Sequence, residues 1–339
     1  MFLKSTIQRV TASAIVVLCL TLPARSEALF PVECGEEHGY INDEGKIVIP
    51  GQFEEARGFH EGLAAVRQDD LWGFVNTKGE LVIKPQFKEV GDFADGLAPI
   101  ARKKGLLGKA FGFVDTSGRV VVDCEYDEVG MFCDGLARAK KDGKWGYIGK
   151  DGQWKIKPEF DVAADFCDGL ARVQSGGAWS GRFGYIDANN RLKINPKFDD
   201  CGDFNEGLAP VEQGGKWGFI NKSGEVVIEP QFDGAWIFSN GRACVKVGGK
   251  IGYVDKAGRV VVHPVYEDAK AFNEGLAPVK RDGRWGYIAT DGSTAIPIRH
   301  DEADDFHEGL ARVVTNGTEN WVNKDGRVIW PTSLVAGNK

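Results

Sequence analysis

Trp217-Gly218-Phe219-Ile220-Asn221-Lys222-Ser223-Gly224-Glu225-Val226-Val227-Ile228-Glu229-Pro230-Gln231-Phe232 reads as two strands joined by a tight turn. Aromatic and β-branched residues fill both flanks, which suits a pleated, half-buried surface. Asn221 opens the turn through its side chain, and Gly224 closes it at positive φ. Pro230 has no N–H to give a ladder, so it is expected to end the second strand.

Working outward, the aromatic-Gly-aromatic-aliphatic core of this stretch recurs nine times. Close copies stand at Trp72-Gly73, Trp145-Gly146 and Trp285-Gly286, looser ones at Phe111-Gly112, Phe183-Gly184 and Ile251-Gly252. The ends carry His38-Gly39-Tyr40-Ile41 and Glu319-Asn320-Trp321-Val322. From one glycine position to the next the steps are 34, 39, 34, 38, 34, 34, 34 and 34 residues. A period of this size marks a repeat architecture. The two long steps come from insertions at Lys103–Lys109 and Gly176–Arg182. They are expected at surface loops, which tolerate added length. A fourth motif, such as Phe272-Asn273-Glu274-Gly275-Leu276-Ala277, opens each unit's first strand.

One unit is therefore expected to be a three-stranded antiparallel meander, for example Leu276–Lys280, Arg284–Ile288 and Ser293–Ile296, followed by a connector of about a dozen residues. A lone meander cannot bury both of its faces, so stacking on neighbours must do so. Nine meanders are expected from Leu29 to Pro331. The worst copies lie at the two ends, where His38 and Asn320 break the pattern, as suits caps. The fold class expected is all-β, an open superhelical array, with a closed β-propeller as the alternative.

The W-G-[FY]-[IV] core, the [ND]-x-x-G turn, P-x-[FY] and F-x-[ED]-G-L-A together resemble the WG-repeat (KWG-repeat) family. The resemblance covers nearly everything from Leu29 to Pro331. It implies a repeat scaffold and carries over no shared activity and no catalytic residue.

Residues 1–28 read as a secretory signal. Lys4 and Arg9 begin it, an apolar run from Val10 to Leu22 follows, and small residues near Ala24–Ala28 offer cleavage sites. Cleavage is expected to leave Glu27 or Leu29 first, with residues 332–339 as a tail and no stable membrane span. Loss of Lys4, Arg9 and Arg25 without any acid moves the net charge from −7 to −10. Such a balance argues against nucleic acid as a partner. Six cysteines then remain, and Cys133 and Cys167 share one repeat column in adjacent units, a candidate disulfide.

No catalytic, metal or cofactor motif rises above the scaffold. The acidic column Glu61, Asp95, Asp134, Asp168, Glu206, Glu274 and Glu308 suits carboxylates that accept turn N–H groups, better than it suits calcium. The clusters at Asp199-Asp200 with Asp203 and at Asp301-Glu302 with Asp304-Asp305 read as solvated connectors rather than a glycosidase pair. The five histidines lack ligand spacing, and His60 and His307 fill one variable column at the surface. The column Trp residues read as packing. Trp154, Trp179, Trp236 and Trp330 lie off it, and the first three are the candidate ligand contacts. The expected function is an exported, non-catalytic scaffold for a protein partner or surface polysaccharide. The alternative is a carbohydrate-binding module using those off-column aromatics.

Overall fold

The computed structural model describes residues 28–105, 108–176 and 181–331. Among them are nine small antiparallel sheets in chain order, one for each repeat. The first strand pairs with the second through the Asp-Gly or equivalent turn, and the second with the third through the [ND]-x-x-G turn. In the eighth sheet these strands are Leu276–Arg281, Arg284–Ala289 and Thr294–His300. The third strand does not stop at the proline. It continues four residues beyond the expected Ile296, as Pro297, Ile298, Arg299 and His300.

That extension explains the Trp-Gly pair. In the sixth sheet Phe219 pairs with Ile228 and Trp217 with Phe232. One residue, Gly218, thus faces three: Glu229, Pro230 and Gln231. The third strand bulges here and its backbone passes directly over the glycine. A Cβ on Gly218 would meet Ile228 O at 2.4 Å and Pro230 N at 2.7 Å. Proline is tolerated because the bulge frees it from the ladder. The obstacle to a side chain is therefore the sheet's own third strand, not the neighbouring unit.

The connector is also more ordered than a plain linker. In eight sheets it supplies a fourth strand, which pairs with the first. Six of these are two residues long, such as Asp200–Cys201, and two are six residues long, Glu55–His60 and Gly234–Ser239. The first sheet, Leu29–Cys34, Glu37–Asn42 and Ile47–Phe53, has three strands. At the insertion near Lys103 the hairpin lengthens, with Gly108 paired to Lys104, instead of forming only a loop.

Packing runs between sheets. Leu276, Tyr287 and Ile296 of the eighth sheet bury against Ala311, Val313 and Val322 of the ninth, with Phe306 of the connector between them. The connector Phe meets the aromatic of the preceding second strand nearly edge-on, as in Tyr147–Phe166 at 4.7 Å and Tyr185–Phe204 at 4.8 Å. Edge-to-face contact is the favoured arrangement of such rings.

The same interface joins the last sheet to the first. Leu310, Trp321 and Ile329 pack against Phe30, Val32 and Ile41. The turn glycine of a unit sits against the third-strand aliphatic of the unit before it, Gly79 on Ile49 and Gly326 on Ile296, and Gly45 makes this contact with Ile329. The molecule is thus a closed, nine-bladed, β-propeller-like ring, not the open superhelical array. The atypical ends are not caps, because they meet each other. Among the described residues no connector aromatic meets Trp321, and Phe30 stands 5.3 Å from it in that place. Every other blade has Ala at the Phe30 column, for example Ala64, Ala98 and Ala311. There the connector Phe already fills the space.

Residues 1–27 and 332–339, which hold the signal and tail assignments apart from Ala28, lie outside the described residues. The first strand begins at Leu29. No helix among the described residues is long and apolar enough to cross a membrane.

Candidate functional site

Eight connectors cross equivalent points of equivalent blades, so their side chains fall on one circle of the ring. The Phe that ends each crossing is kept: Phe59, Phe93, Phe132, Phe166, Phe204, Phe238, Phe272 and Phe306. The two residues before it are not kept. They run Arg57-Gly58, Gly91-Asp92, Gly130-Met131, Ala164-Asp165, Gly202-Asp203, Trp236-Ile237, Lys270-Ala271 and Asp304-Asp305. Constancy beside variation separates the scaffold requirement from the face the scaffold displays.

Part of this circle is charged and tied across blades. Arg138 Nε lies 3.0 Å from Asp165 and Arg172 Nε 2.9 Å from Asp203. Arg138 and Arg172 also donate to Ala163 O and Cys201 O of the following connector, at 3.0 and 2.8 Å. Asp165 carries a raised pKa from burial, opposed by the Arg138 charge.

Another part is apolar, and its cause is a bulge. In Gly234–Ser239, Ala235 pairs with Val245 but Phe238 pairs with Ala243. Trp236 and Ile237 therefore share one opposing residue, Cys244, and both are pushed outward. They are 46% and 39% exposed. A groove of about 460 Å³ runs beside them, lined by Gly202, Asp203, Pro210, Trp217 and Ala235. In the second sheet the same bulge carries Arg57 and Gly58. There Arg57 stacks over Trp72 at 4.3 Å.

Of the aromatics singled out from sequence, Trp236 is thus at the surface. Trp154 packs edge-on against Tyr126, with centroids 5.4 Å apart, and is half-buried. Trp330 joins the closure cluster. Trp179 lies outside the described residues. The column residues Trp72 and Trp145 are buried, while Trp217 and Trp285 are half-buried. Gly73, Gly146 and Gly286 face the third strand as Gly218 does. Cys133 and Cys167 sit in equivalent turns of adjacent blades as free thiols. Burial raises both thiol pKa values, that of Cys167 to about 12, which disfavours the thiolate that disulfide exchange requires.

The acidic column is used by the scaffold, in a way the sequence left open. Six of the seven acids, Glu61, Asp95, Asp134, Asp168, Glu206 and Glu274, accept from the Gly N–H of the next unit, as in Asp134 with Gly169 at 3.0 Å and Asp168 with Gly207 at 2.8 Å. Asn240 does the same for Gly275 at 2.9 Å. Lys222 and Lys256 add ion pairs to Asp168 and Glu206. A second acidic column was legible but missed. It follows the aromatic of P-x-[FY] and caps the first hairpin: Asp199 takes Gly214 N–H, and Glu267 takes Asp282 and Gly283 N–H. Asp199 and Asp203 of the first cluster, and Asp301, Glu302 and Asp304 of the second, are thereby engaged in caps and ion pairs, the latter with Arg284, Lys270 and Arg312, whereas among the described residues Asp305 is not. Among the described residues no group of three His, Cys, Asp or Glu side chains could hold a metal ion. His60 and His307 are exposed, as expected, but meet across the closure with ring centroids 6.5 Å apart.

The family model described as "WG containing repeat" matches residues 39–72, 72–104, 111–145, 145–179, 183–217, 217–250, 251–285 and 285–318. No curated protein matches the chain in sequence. Among solved structures it is similar to the dihydro-heme d1 dehydrogenase NirN, at 10% identity and TM-score 0.46 over 78% of this chain and 71% of that one. It is also similar to Hsv2 of Kluyveromyces lactis, at 12% and 0.39 over 56% and 70%. The tricorn protease matches at 12% and 0.27, over 89% of this chain and 39% of its own.

Proposed function

The chain belongs to the family built from WG containing repeats, and on that premise we propose that it is an exported, non-catalytic binding protein that presents its variable circle to a protein partner or cell-surface polymer. One observation carries this reading. In a ring whose packing columns repeat blade after blade, the column just before each connector Phe changes chemistry, and at Trp236-Ile237 it becomes openly apolar. Large exposed apolar side chains rimmed by charge are a usual mark of contact surfaces, and Trp is the residue most often central to them. Export is proposed from residues 1–28, and binding without turnover from the lack of a nucleophile, acid–base or metal motif in the sequence. A second reading, stacking of a sugar ring, draws on the same Trp236 beside Trp217 and the Asp203 carboxylate.

The test is capture by the mature chain from extracellular extract, run beside a glycan array. Trp236→Ala and Ile237→Ala are surface changes expected to fold normally. Each should reduce capture at least about tenfold, the scale of a truncated contact residue. Unchanged capture by folded variants would remove this face from consideration. Signal on the glycan array alone would favour the sugar reading.

A further inference from the structure

The ring has one blade without a connector strand among the described residues, and it lies at the closure. In the other eight sheets two carbonyls of the first strand accept N–H groups from the connector. In the sixth sheet Gly202 N–H donates to Pro210 O at 2.9 Å and Asp199 N–H to Glu212 O at 3.0 Å. The corresponding acceptors in the first sheet are Pro31 O and Glu33 O. No described residue supplies their donors, since Leu29–Cys34 pairs only with Glu37–Asn42. Beside this edge is a cavity of about 370 Å³ between the first and last blades.

We propose that this edge takes an extended, basic peptide segment of a partner, added as the missing fourth strand. Two of its backbone N–H groups would meet Pro31 O and Glu33 O, the usual basis of strand addition. The lining chooses the charge. Arg312 is already engaged by Glu319 at 2.6 Å and by Asp304 and Glu302 at 3.2 Å. Glu33, Asp305 and Glu308 have no ion-pair partner among the described residues. A strand bearing Lys or Arg offers what they lack, whereas an acidic strand would add like charge. Leu29, Phe30, Phe59 and Trp321 supply apolar wall for its alternate side chains. This inference does not rest on the Trp236 reading, and Trp236→Ala should leave it unchanged.

The experiment uses the mature chain and three labelled heptapeptides in fluorescence anisotropy: Lys-Val-Lys-Val-Lys-Val-Lys, its Glu-for-Lys counterpart, and the Lys peptide with alternate amides N-methylated. The basic peptide should bind at least tenfold more tightly than the acidic one. N-methylation should abolish binding, because it removes the donors of one edge. Glu33→Lys and Asp305→Lys, both exposed sites, should weaken binding tenfold or more without lowering the melting temperature. Equal binding of the N-methylated peptide, or indifference to both charge reversals, would overturn the proposal. So would loss of all peptide binding in a chain that keeps residues 1–26, since the leader would then be the occupant. A concentration-dependent dimer that the basic peptide cannot dissociate would assign the edge to a second copy instead.

Discussion

Gly218 shows how a two-letter motif follows from the backbone of one sheet. Its φ needs no special region; it is the space above it that is missing, because the third strand bulges across at Ile228–Pro230. Gly218→Val should cost about 3 kcal/mol through overpacking and backbone displacement. Asn320, at the same column of the last blade, already carries a side chain and is buried. Among the described residues its third strand ends at Trp330, and none of them is paired beyond Trp321 to cross it. Asn320→Val should therefore shift the denaturation midpoint much less. Equal shifts at the two positions would contradict the crossing strand as the cause. The glycine column was plain in the sequence but its cause was not, since a bulge depends on pairing register and leaves only an interior proline as its trace.

Within one blade, the element that most constrains its neighbours is the second strand. Its tyrosines reach seventeen residues onward and donate to a connector carbonyl: Tyr147 to Ala164 O at 2.7 Å, Tyr185 to Gly202 O at 2.7 Å, Tyr253 to Lys270 O at 2.9 Å. Burial raises their phenol pKa values, which favours the protonated, donating form. Tyr147→Phe leaves the ring packing on Phe166 but strips the bond and strands a buried carbonyl. The expected loss is about 1 kcal/mol by denaturant unfolding. Phe219→Tyr, where a connector has gone without this bond, is the matching control and should not cost stability. A Tyr147→Phe variant as stable as the parent would show that the connector is held by the Phe–aromatic contacts alone. The meander strands were readable because β-branched runs and turn residues punctuate them. The fourth strand was not, because two residues such as Asp200–Cys201 carry no period. Trp236 was marked from sequence as an off-column aromatic; that a bulge would turn it and Ile237 outward together was a matter of register.

At the scale of the whole molecule the question is what holds the ring shut. The steps of 34 residues are the same for a ring and for a superhelix, so the repeat alone could not choose between them. The deciding residue was in view as Phe30, in a column otherwise filled by Ala, yet its meaning depends on Trp321 lying beside it nearly three hundred residues later. No covalent link or shared strand joins the ends among the described residues. Closure rests on the Phe30, Val32, Ile41, Leu310 and Ile329 cluster and on Gly45 against Ile329. Phe30→Ala gives this blade the residue every other blade has, but without a connector Phe to occupy the vacated space. A buried Phe→Ala change ordinarily costs about 3–5 kcal/mol, much of it as unrelieved cavity. In a ring that loss falls on both partners of the interface at once. Hydrogen exchange should therefore quicken in Glu37–Asn42 of the first sheet and in Thr318–Asn323 of the last together, while the fourth and fifth sheets keep their protection. An open array would behave differently, with only the first sheet loosening, because Trp321 would never have touched Phe30. Undiminished protection in Thr318–Asn323 of the variant would thus count against closure itself.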